Sequence, residues 1–230
     1  MSKTKNVVKR DIVVNAPLEK VWDALTKPEH LNRWYTKDAE VDFRIGGYGE
    51  LNHGWGVTSS GIYTEIDEMN HFVLESESGD FKTITTLQQM DNGVRVSISY
   101  QVEFSGEDGE AAKENMLFGT YQFLRNLKSV YEEDQDIRSQ MWRTWIGIMH
   151  TTHSHGSKVV KVGENSPAES AGILLGDVIT AIDGESVNGY DALETIINTK
   201  EINKPVLLTV RRNDQQMDVE CMIVGYPVSY

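Results

Sequence analysis

Three histidines lie within six residues in the second half of the chain. The run His150-Thr151-Thr152-His153-Ser154-His155 has the H-x2-H and H-x-H spacings at which imidazoles on a flexible loop can converge on Zn²⁺ or Ni²⁺. No Asp, Glu or Cys lies close in sequence to complete a closed site. We therefore interpret the run as a polar loop between two strands, and we predict no metal and no cofactor.

A second group of side chains, in the first half of the chain, could perform acid–base chemistry. His53, Glu65 and Arg95 fall on strand-like segments, and a His–carboxylate pair facing an interior would supply a general acid and base. Strand alternation does not fix which face each residue occupies, and each also fits a solvated strand position. No nucleophile triad or phosphate loop is recognisable. No catalytic residue is assigned, and a non-catalytic protein is favoured over an enzyme.

Composition limits the classes of partner. The 230 residues suffice for two domains, and the net charge of -13 disfavours nucleic acid or an anionic membrane as the main partner. No apolar run approaches the roughly 20 residues of a membrane span, and residues 1–10 lack the apolar core of a signal peptide. A cytoplasmic location is predicted. Cys221, the only cysteine, lies in an apolar run and is interpreted as a small buried hydrophobe.

The first half alternates between short periodic segments and turns. A strand is predicted over 7–14, a helix over 17–26 and a second helix from Pro28. After an acidic loop at 106–109, one long helix is predicted over 110–133, because apolar residues recur there at helical spacing. Between the helices, strand-like segments separated by turns predict an antiparallel meander; they cover 39–45, 48–53, 57–67, 71–78, 82–90 and 93–104.

The segment VVNAPLEKVWDALTKPEHLNRWY resembles the opening of the START-like superfamily, which includes polyketide cyclases and activators of the heat-shock ATPase. The motif covers Ala16 to Trp34, and the strand order extends the likeness to about residue 131. The resemblance implies an α+β helix-grip domain, in which an antiparallel sheet wraps a long C-terminal helix around an apolar cavity. The activators carry an additional chaperone-binding domain that is not recognised here, so chaperone regulation is not predicted.

Such domains bind apolar small molecules, and only some are enzymes. Side chains of the cavity are expected to be aromatic or aliphatic, although each would serve equally as core filling. A cyclase- or hydrolase-type enzyme, using His53 and Glu65 in this cavity, is the alternative function. The predicted cavity residues are Trp34, Phe43, Trp55, Tyr63, Leu117, Tyr121 and Leu124.

Residues 165–184, NSPAESAGILLGDVITAIDG, are the most specific segment of the second half. Ser166 is a good helix N-cap, Pro167 suits the first helical position and Gly172 suits a left-handed cap. A strand follows over 177–182. The spacing SPAxxAGϕxxGDxIxxϕxG resembles the core signature of PDZ domains, in the variant attached to bacterial trypsin-like stress proteases. It implies a small, partly open β-barrel with two helices.

The PDZ resemblance also implies a peptide groove. The loop of form aromatic-ϕ-Gly-ϕ, here 145–148, would present backbone N–H groups to the C-terminal carboxylate of a peptide that adds to the sheet as a strand. The helix 189–198 would form the far wall, with Leu193 in the core. Apolar loop and helix residues predict a preference for Val, Ile or Leu at the peptide C-terminus, and Glu194 would disfavour acidic peptide positions nearby. The predicted peptide-binding residues are Trp145, Ile146, Gly147, Ile148, Tyr190, Glu194 and Ile197.

The two resemblances together predict a START-like domain over 1–133, a linker over 134–143 and a PDZ domain over 144–230. The leading hypothesis is a non-catalytic cytoplasmic adaptor or sensor, which binds an apolar small molecule in the first domain and a protein C-terminus in the second. A third hypothesis concerns the apolar-aromatic tail 225–230, which could occupy the groove of its own chain or of another copy and so cause self-association.

Overall fold

A computed structural model describes residues 6–228 of the protein. Within these residues the chain divides into two compact units: unit 1 comprises 6–103, Gly119–Ser139 and Val228, and unit 2 comprises Phe104–Phe118 and Gln140–Pro227. The division departs from the sequence prediction because 104–118, assigned above to the first domain, belongs with unit 2.

Unit 1 contains one antiparallel sheet of seven strands. The predicted first strand joins the six that follow the helices, because it pairs with the last of them, and the order is β1-β7-β6-β5-β4-β3-β2. The fifth strand ends at Glu75 rather than at 78, since Ser76 and Phe81 close a turn there through a 2.9 Å backbone hydrogen bond. The strands are β1 (Asn6–Val14), β2 (Asp38–Val41), β3 (Tyr48–Gly54), β4 (Val57–Asp67), β5 (His71–Glu75), β6 (Lys82–Met90) and β7 (Gly93–Val102).

Two short helices, α1 (Leu18–Thr26) and α2 (Pro28–Trp34), follow the first strand as predicted. Pro28 separates them, because it is accepted at the first position of α2 but could not continue α1. Trp34 is fully buried, and its indole N–H donates to the carbonyl oxygen of Ala24 at 2.8 Å. The two helices therefore share one apolar face with the sheet interior.

The long helix α3 (Gly106–Glu133) begins four residues before the predicted start. Gly106 and Gly109 suggested a loop, but the N–H of Gly109 bonds to the carbonyl of Ser105, and Glu107 and Asp108 lie in the first turn, where acidic side chains favour a helix. The part of α3 in unit 1 contributes Leu124 and Leu127, both with 0% exposure, to the core.

The segment predicted as a linker is anchored to unit 1 by Arg138. Its buried guanidinium donates to the carboxylate of Asp136, with an Nη2–Oδ2 distance of 2.7 Å, and to the carbonyl oxygens of Thr36 at 2.7 Å and Asn32 at 3.0 Å. Asn126 of α3 accepts the N–H of Ile137 at 2.8 Å. Residues 136–138 are therefore packed into unit 1. The hydrogen bonds from Arg138 compensate the cost of burying its charge.

Unit 2 contains the predicted small β domain with two helices besides its part of α3, namely α4 (Pro167–Ser170) and α5 (Tyr190–Thr199). Its main sheet has the order β14-β13-β11-β10-β9, with β12 beside β11, and β15 pairs separately with β8. The strands are β8 (Thr144–Trp145), β9 (Ile148–His153), β10 (Gly156–Val162), β11 (Val178–Ile182), β12 (Glu185–Ser186), β13 (Pro205–Arg212), β14 (Gln215–Met222) and β15 (Val224–Gly225).

The 165–184 segment builds the centre of unit 2. Ser166 caps α4 through a hydrogen bond from the N–H of Glu169, as its sequence position predicted. Asp177 is buried and accepts both Nε and Nη2 of Arg212 at 2.7 Å, so its charge is paired. Cys221 is buried in the same core, and burial raises the pKa of its thiol to about 11, which confirms its interpretation as a small buried hydrophobe.

Candidate functional site

A cavity of about 200 Å³ lies between β9 and α5 in unit 2, and we call it the groove. The core residue Leu193 also contributes to its wall. The structure brings together all the residues predicted for peptide binding, because each of them lines this one cavity: Trp145, Ile146, Gly147, Ile148, Tyr190, Glu194 and Ile197.

The loop at one end of the groove is held by the signature segment. The carbonyl oxygens of Ile146 and Gly147 accept hydrogen bonds, both 2.8 Å, from the N–H groups of Ala168 and Gly163. In a trans peptide the C=O and the following N–H point in opposite directions. The N–H groups of Gly147 and Ile148 are therefore turned away from these partners.

Gly147 is required by both conformation and space. Its φ of +87° lies in the left-handed region, and a Cβ there would lie 2.2 Å from the Cβ of Ser166. The helix N-cap and the groove loop therefore fit together only if this position lacks a side chain.

β9 forms the edge of the main sheet. It pairs with β10 on one side, and within residues 6–228 no strand pairs with its other side, which borders the groove. An edge strand presents a row of backbone donors and acceptors that an extended peptide can extend by strand addition.

The opposite wall, α5, is positioned by hydrogen bonds at both ends. The N–H of Tyr190 donates to Oγ1 of Thr152 at 3.0 Å, and the hydroxyl of Thr144 donates to the carbonyl of Ile197 at 2.6 Å. Gly189, which precedes the helix with a φ of +100°, allows the close approach, because a Cβ there would lie 2.9 Å from the Thr152 side chain. The width of the groove is therefore fixed.

His150 corrects the interpretation of the histidine run as a polar loop. It lies within β9 with 1% exposure, and its ring stacks on Tyr190 with 4.2 Å between centroids. Nδ1 is 2.6 Å from the hydroxyl of Ser157, and Nε2 is 2.9 Å from a carboxylate oxygen of Glu194. Both ring nitrogens have partners, so burial of the imidazole is tolerated. Only His155 lies in the turn between the two strands.

The part of the groove wall formed by Tyr190 and Glu194 is acidic and partly buried. Burial, and next the charge of Glu194, raise the pKa of the Tyr190 phenol, which therefore remains a neutral hydrogen-bond donor. Glu194 itself is partly exposed in the groove. A negative charge beside the peptide path agrees with the expectation that acidic peptide positions are disfavoured there.

Sequence reasoning missed several residues of the groove. Thr144 on β8, and Met149 and His150 on β9, adjoin the assigned loop in sequence, so extending the assignment by one or two residues at each end would have found them. Trp142 lies three residues before the loop and also lines the cavity. The others come from distant parts of unit 2, and no local signal marks them; they are Ala111, Asn115 and Tyr226.

The predicted tail interaction is only partly within the described residues. Val224 pairs with Trp145, and the N–H of Tyr226 donates to the carbonyl of Arg143 at 3.1 Å. This places Tyr226 at the groove. Ser229 and Tyr230, the last two residues of the tail, lie outside the part that the structure describes.

The interior of unit 1 contains a cavity of about 40 Å³, enough for a few water molecules. Trp34 and Tyr63, both predicted, line it together with Tyr35. Phe43 contacts Tyr63 edge to face, with 5.0 Å between ring centroids, and Leu124 is fully buried in the core. Burial raises the pKa values of Tyr35 and Tyr63, so both phenols are neutral.

The other five predicted cavity residues do not line this cavity, and Leu117 and Tyr121 are placed elsewhere; the five are Phe43, Trp55, Leu117, Tyr121 and Leu124. Tyr121 has 40% of its surface exposed, and Leu117 belongs to the segment of α3 that is part of unit 2. The apolar residues along α3 suggested that the whole helix packs against one core. Instead, residues up to 118 belong to unit 2 and those from 119 belong to unit 1. Trp55 remains near the interior, with its ring 6.1 Å from Phe123.

The predicted acid–base residues of unit 1 do not converge. His53 is buried, with Nε2 at 2.8 Å from the hydroxyl of Ser59, and burial lowers its pKa to about 4. Glu65 is exposed beside His71, and Arg95 lies 3.5 Å from Asp11. The residue before His53 pairs with position 58, seven residues before Glu65 on β4, so at about 3.3 Å per residue the two are separated by roughly 20 Å.

Two further surveys cover residues 6–228. No three side chains of His, Cys, Asp or Glu come together there in a group suited to a metal ion. Over the same residues, none of the helices combines the length and the apolar character needed to cross a bilayer.

The sheet with its long helix in unit 1, and the groove beside an edge strand in unit 2, define a START-like domain joined to a PDZ domain. Comparison with protein families agrees: a model described as Activator of Hsp90 ATPase homolog 1-like protein matches residues 15–132, and a PDZ domain model matches residues 144–223. The chain belongs to the Activator of Hsp90 ATPase homolog 1-like protein family, since that model covers more than half of it.

Two curated relatives each match less than a third of the chain. The chain is 34% identical over 71 residues to the serine protease Do-like HtrA of Lactobacillus helveticus (31% of this chain, 17% of that protein). It is 36% identical over 67 residues to the zinc metalloprotease RasP of Shouchella clausii (29% and 16%). The chain thus spans about a sixth of either protease.

A solved structure supports the fold of the first part. The Aha1 dimer from Colwellia psychrerythraea matches with a TM-score of 0.51 and 18% identity, over 56% of this chain and 98% of that one. At this identity the likeness concerns the fold alone.

Proposed function

We propose that the protein is a non-catalytic adaptor whose unit 2 captures the C-terminal peptide of a protein partner. The observation that carries the proposal is that the seven residues predicted from the PDZ resemblance line one groove beside a sheet edge that no other strand pairs with within residues 6–228. The likeness to PDZ-containing proteases supports a protein-binding role for this unit alone, since the chain covers only about a sixth of them.

In this proposal each part of the groove has one task. The N–H groups of Gly147 and Ile148 receive the terminal carboxylate, and the exposed edge of β9 adds the peptide as a further strand. Ile148 and Ile197 contact the last side chain, which is therefore apolar and of medium size. Tyr190 and Glu194 face the residues before it.

Selection from a library of peptides with free C-termini tests this proposal on the intact chain. We expect enrichment of Val, Ile or Leu at the last position. Because Ile148→Ala enlarges the pocket, it should shift the preference toward larger residues such as Phe. Leu207→Ala, also a half-exposed aliphatic residue on a strand of unit 2, is the matched control and should leave the preference unchanged. A library without enrichment would refute the proposal.

We also propose that unit 1 binds an apolar small molecule rather than catalysing a reaction. Support comes from the aromatic lining of its interior and from the separation of His53 and Glu65, which argues against paired acid–base chemistry. Because the cavity measures about 40 Å³, a ligand must displace side chains in order to enter. Native mass spectrometry of the purified protein should show a co-purifying apolar compound, whereas a protein that always carries only its own mass would contradict this role.

A further inference from the structure

The far end of the groove is already in contact with a segment of the same unit. Residues 104–118, which include the first turns of α3, belong to unit 2, and two of them, Ala111 and Asn115, line the groove cavity. They line it together with residues of β9 and α5.

Glu114 occupies the edge of β9. One carboxylate oxygen, Oε2, accepts the backbone N–H of Thr152 at 2.7 Å and the hydroxyl of Thr151 at 2.7 Å. Thr152 lies near the end of β9, on the edge that a peptide strand would join. The Thr152 N–H therefore already donates to Glu114, in the place where a peptide carbonyl oxygen would accept it.

The same segment also contacts the α5 wall. Oδ1 of Asn115 accepts the phenolic hydroxyl of Tyr190 at 3.0 Å, and the ring of Phe118 lies 6.0 Å from that of Tyr190. Farther along, the side chain of Lys158 donates to Glu107 at 2.6 Å. Residues 104–118 thus contact both β9 and α5 at one end of the groove. These contacts include a buried pair of aromatic rings as well as charged side chains at the surface.

The cavity that remains is lined by residues 145–150 together with Ala111, Asn115 and the α5 wall, and its volume is about 200 Å³. This is somewhat larger than the roughly 150 Å³ of a cavity that accommodates a benzene molecule. Such a space suits one apolar side chain with the backbone of one or two residues. It does not suit a strand that runs the full length of β9.

We infer that the intact chain recognises only the last two or three residues of a peptide, because Glu114 and Asn115 occupy the places of the residues upstream. This inference rests on the proposed function and specifies its ligand: a short C-terminal segment ending in a medium-sized apolar residue. Upstream residues of the partner leave the groove at His150 and contribute little to affinity.

The test is a series of peptides of two, three, four, six and eight residues with one common apolar C-terminus, titrated calorimetrically into the intact protein. We expect affinity to rise up to three residues and then to change by less than about twofold. An eightfold or greater gain between three and eight residues, about 1.2 kcal/mol or the contribution of one added backbone hydrogen bond, would overturn the inference.

A double variant tests whether Glu114 and Asn115 are what limits the binding of longer peptides. Glu114→Ala with Asn115→Ala should strengthen the eight-residue peptide by about fivefold relative to the three-residue peptide, since one edge N–H becomes available. Glu110→Ala is the matched control: it lies one turn earlier on α3, pairs with Lys113 and should change neither peptide. Equal affinities of the double variant and the wild type for long peptides would contradict the inference.

The two proposals fail in different ways. If no peptide of any length binds, the proposed function is refuted and this inference with it. If long peptides bind progressively better to the wild-type chain, peptide capture stands and only the inferred blockage is wrong. The length series on the wild-type protein decides between these outcomes even if the double variant does not fold.

Discussion

Unit 1 and unit 2 each arrange aromatic side chains around a space between helices and a sheet, but they treat that space differently. In unit 1, buried residues such as Trp34 and Tyr63 close over about 40 Å³. In unit 2, about 200 Å³ remains between an edge strand and a helix whose position is fixed at both ends. Changes to the first space should therefore alter stability, and changes to the second should alter binding.

The largest effect is expected from Trp34→Ala in unit 1. Removing a fully buried indole leaves a cavity and an unpartnered carbonyl at Ala24, and should lower the free energy of unfolding by about 3–5 kcal/mol. Urea unfolding followed by circular dichroism measures this, with exposed Tyr121→Ala as the control. A loss below about 1 kcal/mol would contradict the view that this interior is rigidly packed, because it would mean that the surrounding side chains fill the space left by the indole.

A pH effect comes next, from His53. Its pKa is about 4 in the folded protein because of burial, against about 6.5 when unfolded, so the unfolded state binds more protons between these values. The contribution of His53 to stability should therefore be constant above pH 7 and fall by up to about 3 kcal/mol as the pH drops from 6.5 to 4. His53→Gln should flatten this part of a stability–pH profile, and exposed His155→Gln should not. An identical profile for His53→Gln would be inconsistent with a buried neutral imidazole.

In unit 2, Gly147→Ala tests the groove loop. A Cβ would lie 2.2 Å from Ser166, at a φ that itself costs about 1–2 kcal/mol, so peptide affinity should fall about tenfold or more. Gly184→Ala is the matched control, because its φ is +80° but the space around it is open. It should reduce stability without changing affinity in the same titration. Equal affinity losses in both variants would remove the special role of the loop.

The smallest effect is expected for Glu194→Gln, which removes the charge but retains a group able to bond to His150. Peptides with an acidic residue near the C-terminus should bind about threefold more tightly, and uncharged peptides should change by less than about twofold. Glu185→Gln, exposed on β12, is the control. Fluorescence anisotropy at low and high salt would measure both. A uniform change for all peptides would mean that Glu194 acts only through His150.

The sequence predicted best what depends on local spacing. The 165–184 signature places Ser166 and Gly172 at a helix start and stop, and from it the loop and α5 positions follow by fixed offsets. The resemblance to PDZ domains supplied all seven predicted groove residues, and each of them lines the one cavity, while their role in peptide binding stays a prediction.

What depends on long-range pairing could not be predicted. His150 resembled a loop residue in the sequence. Its hydrogen-bond partners, Ser157 on β10 and Glu194 on α5, come close to it only in the folded protein. Similarly, α3 has apolar residues along its whole length, and periodicity does not say which of them contact which unit. Leu117 and Tyr121 were therefore misplaced, and the position of Glu114 at the edge of β9 had no sequence signal.

The central claim is that the loop at 145–148 receives a free peptide carboxylate. Calorimetric titration of the intact protein with one Val-terminated peptide, as the free acid and as the C-terminal amide, tests it most directly. The account predicts micromolar binding of the acid and at least about tenfold weaker binding of the amide, because charge-assisted hydrogen bonds to the loop are lost. Equal affinity of the acid and the amide would contradict it.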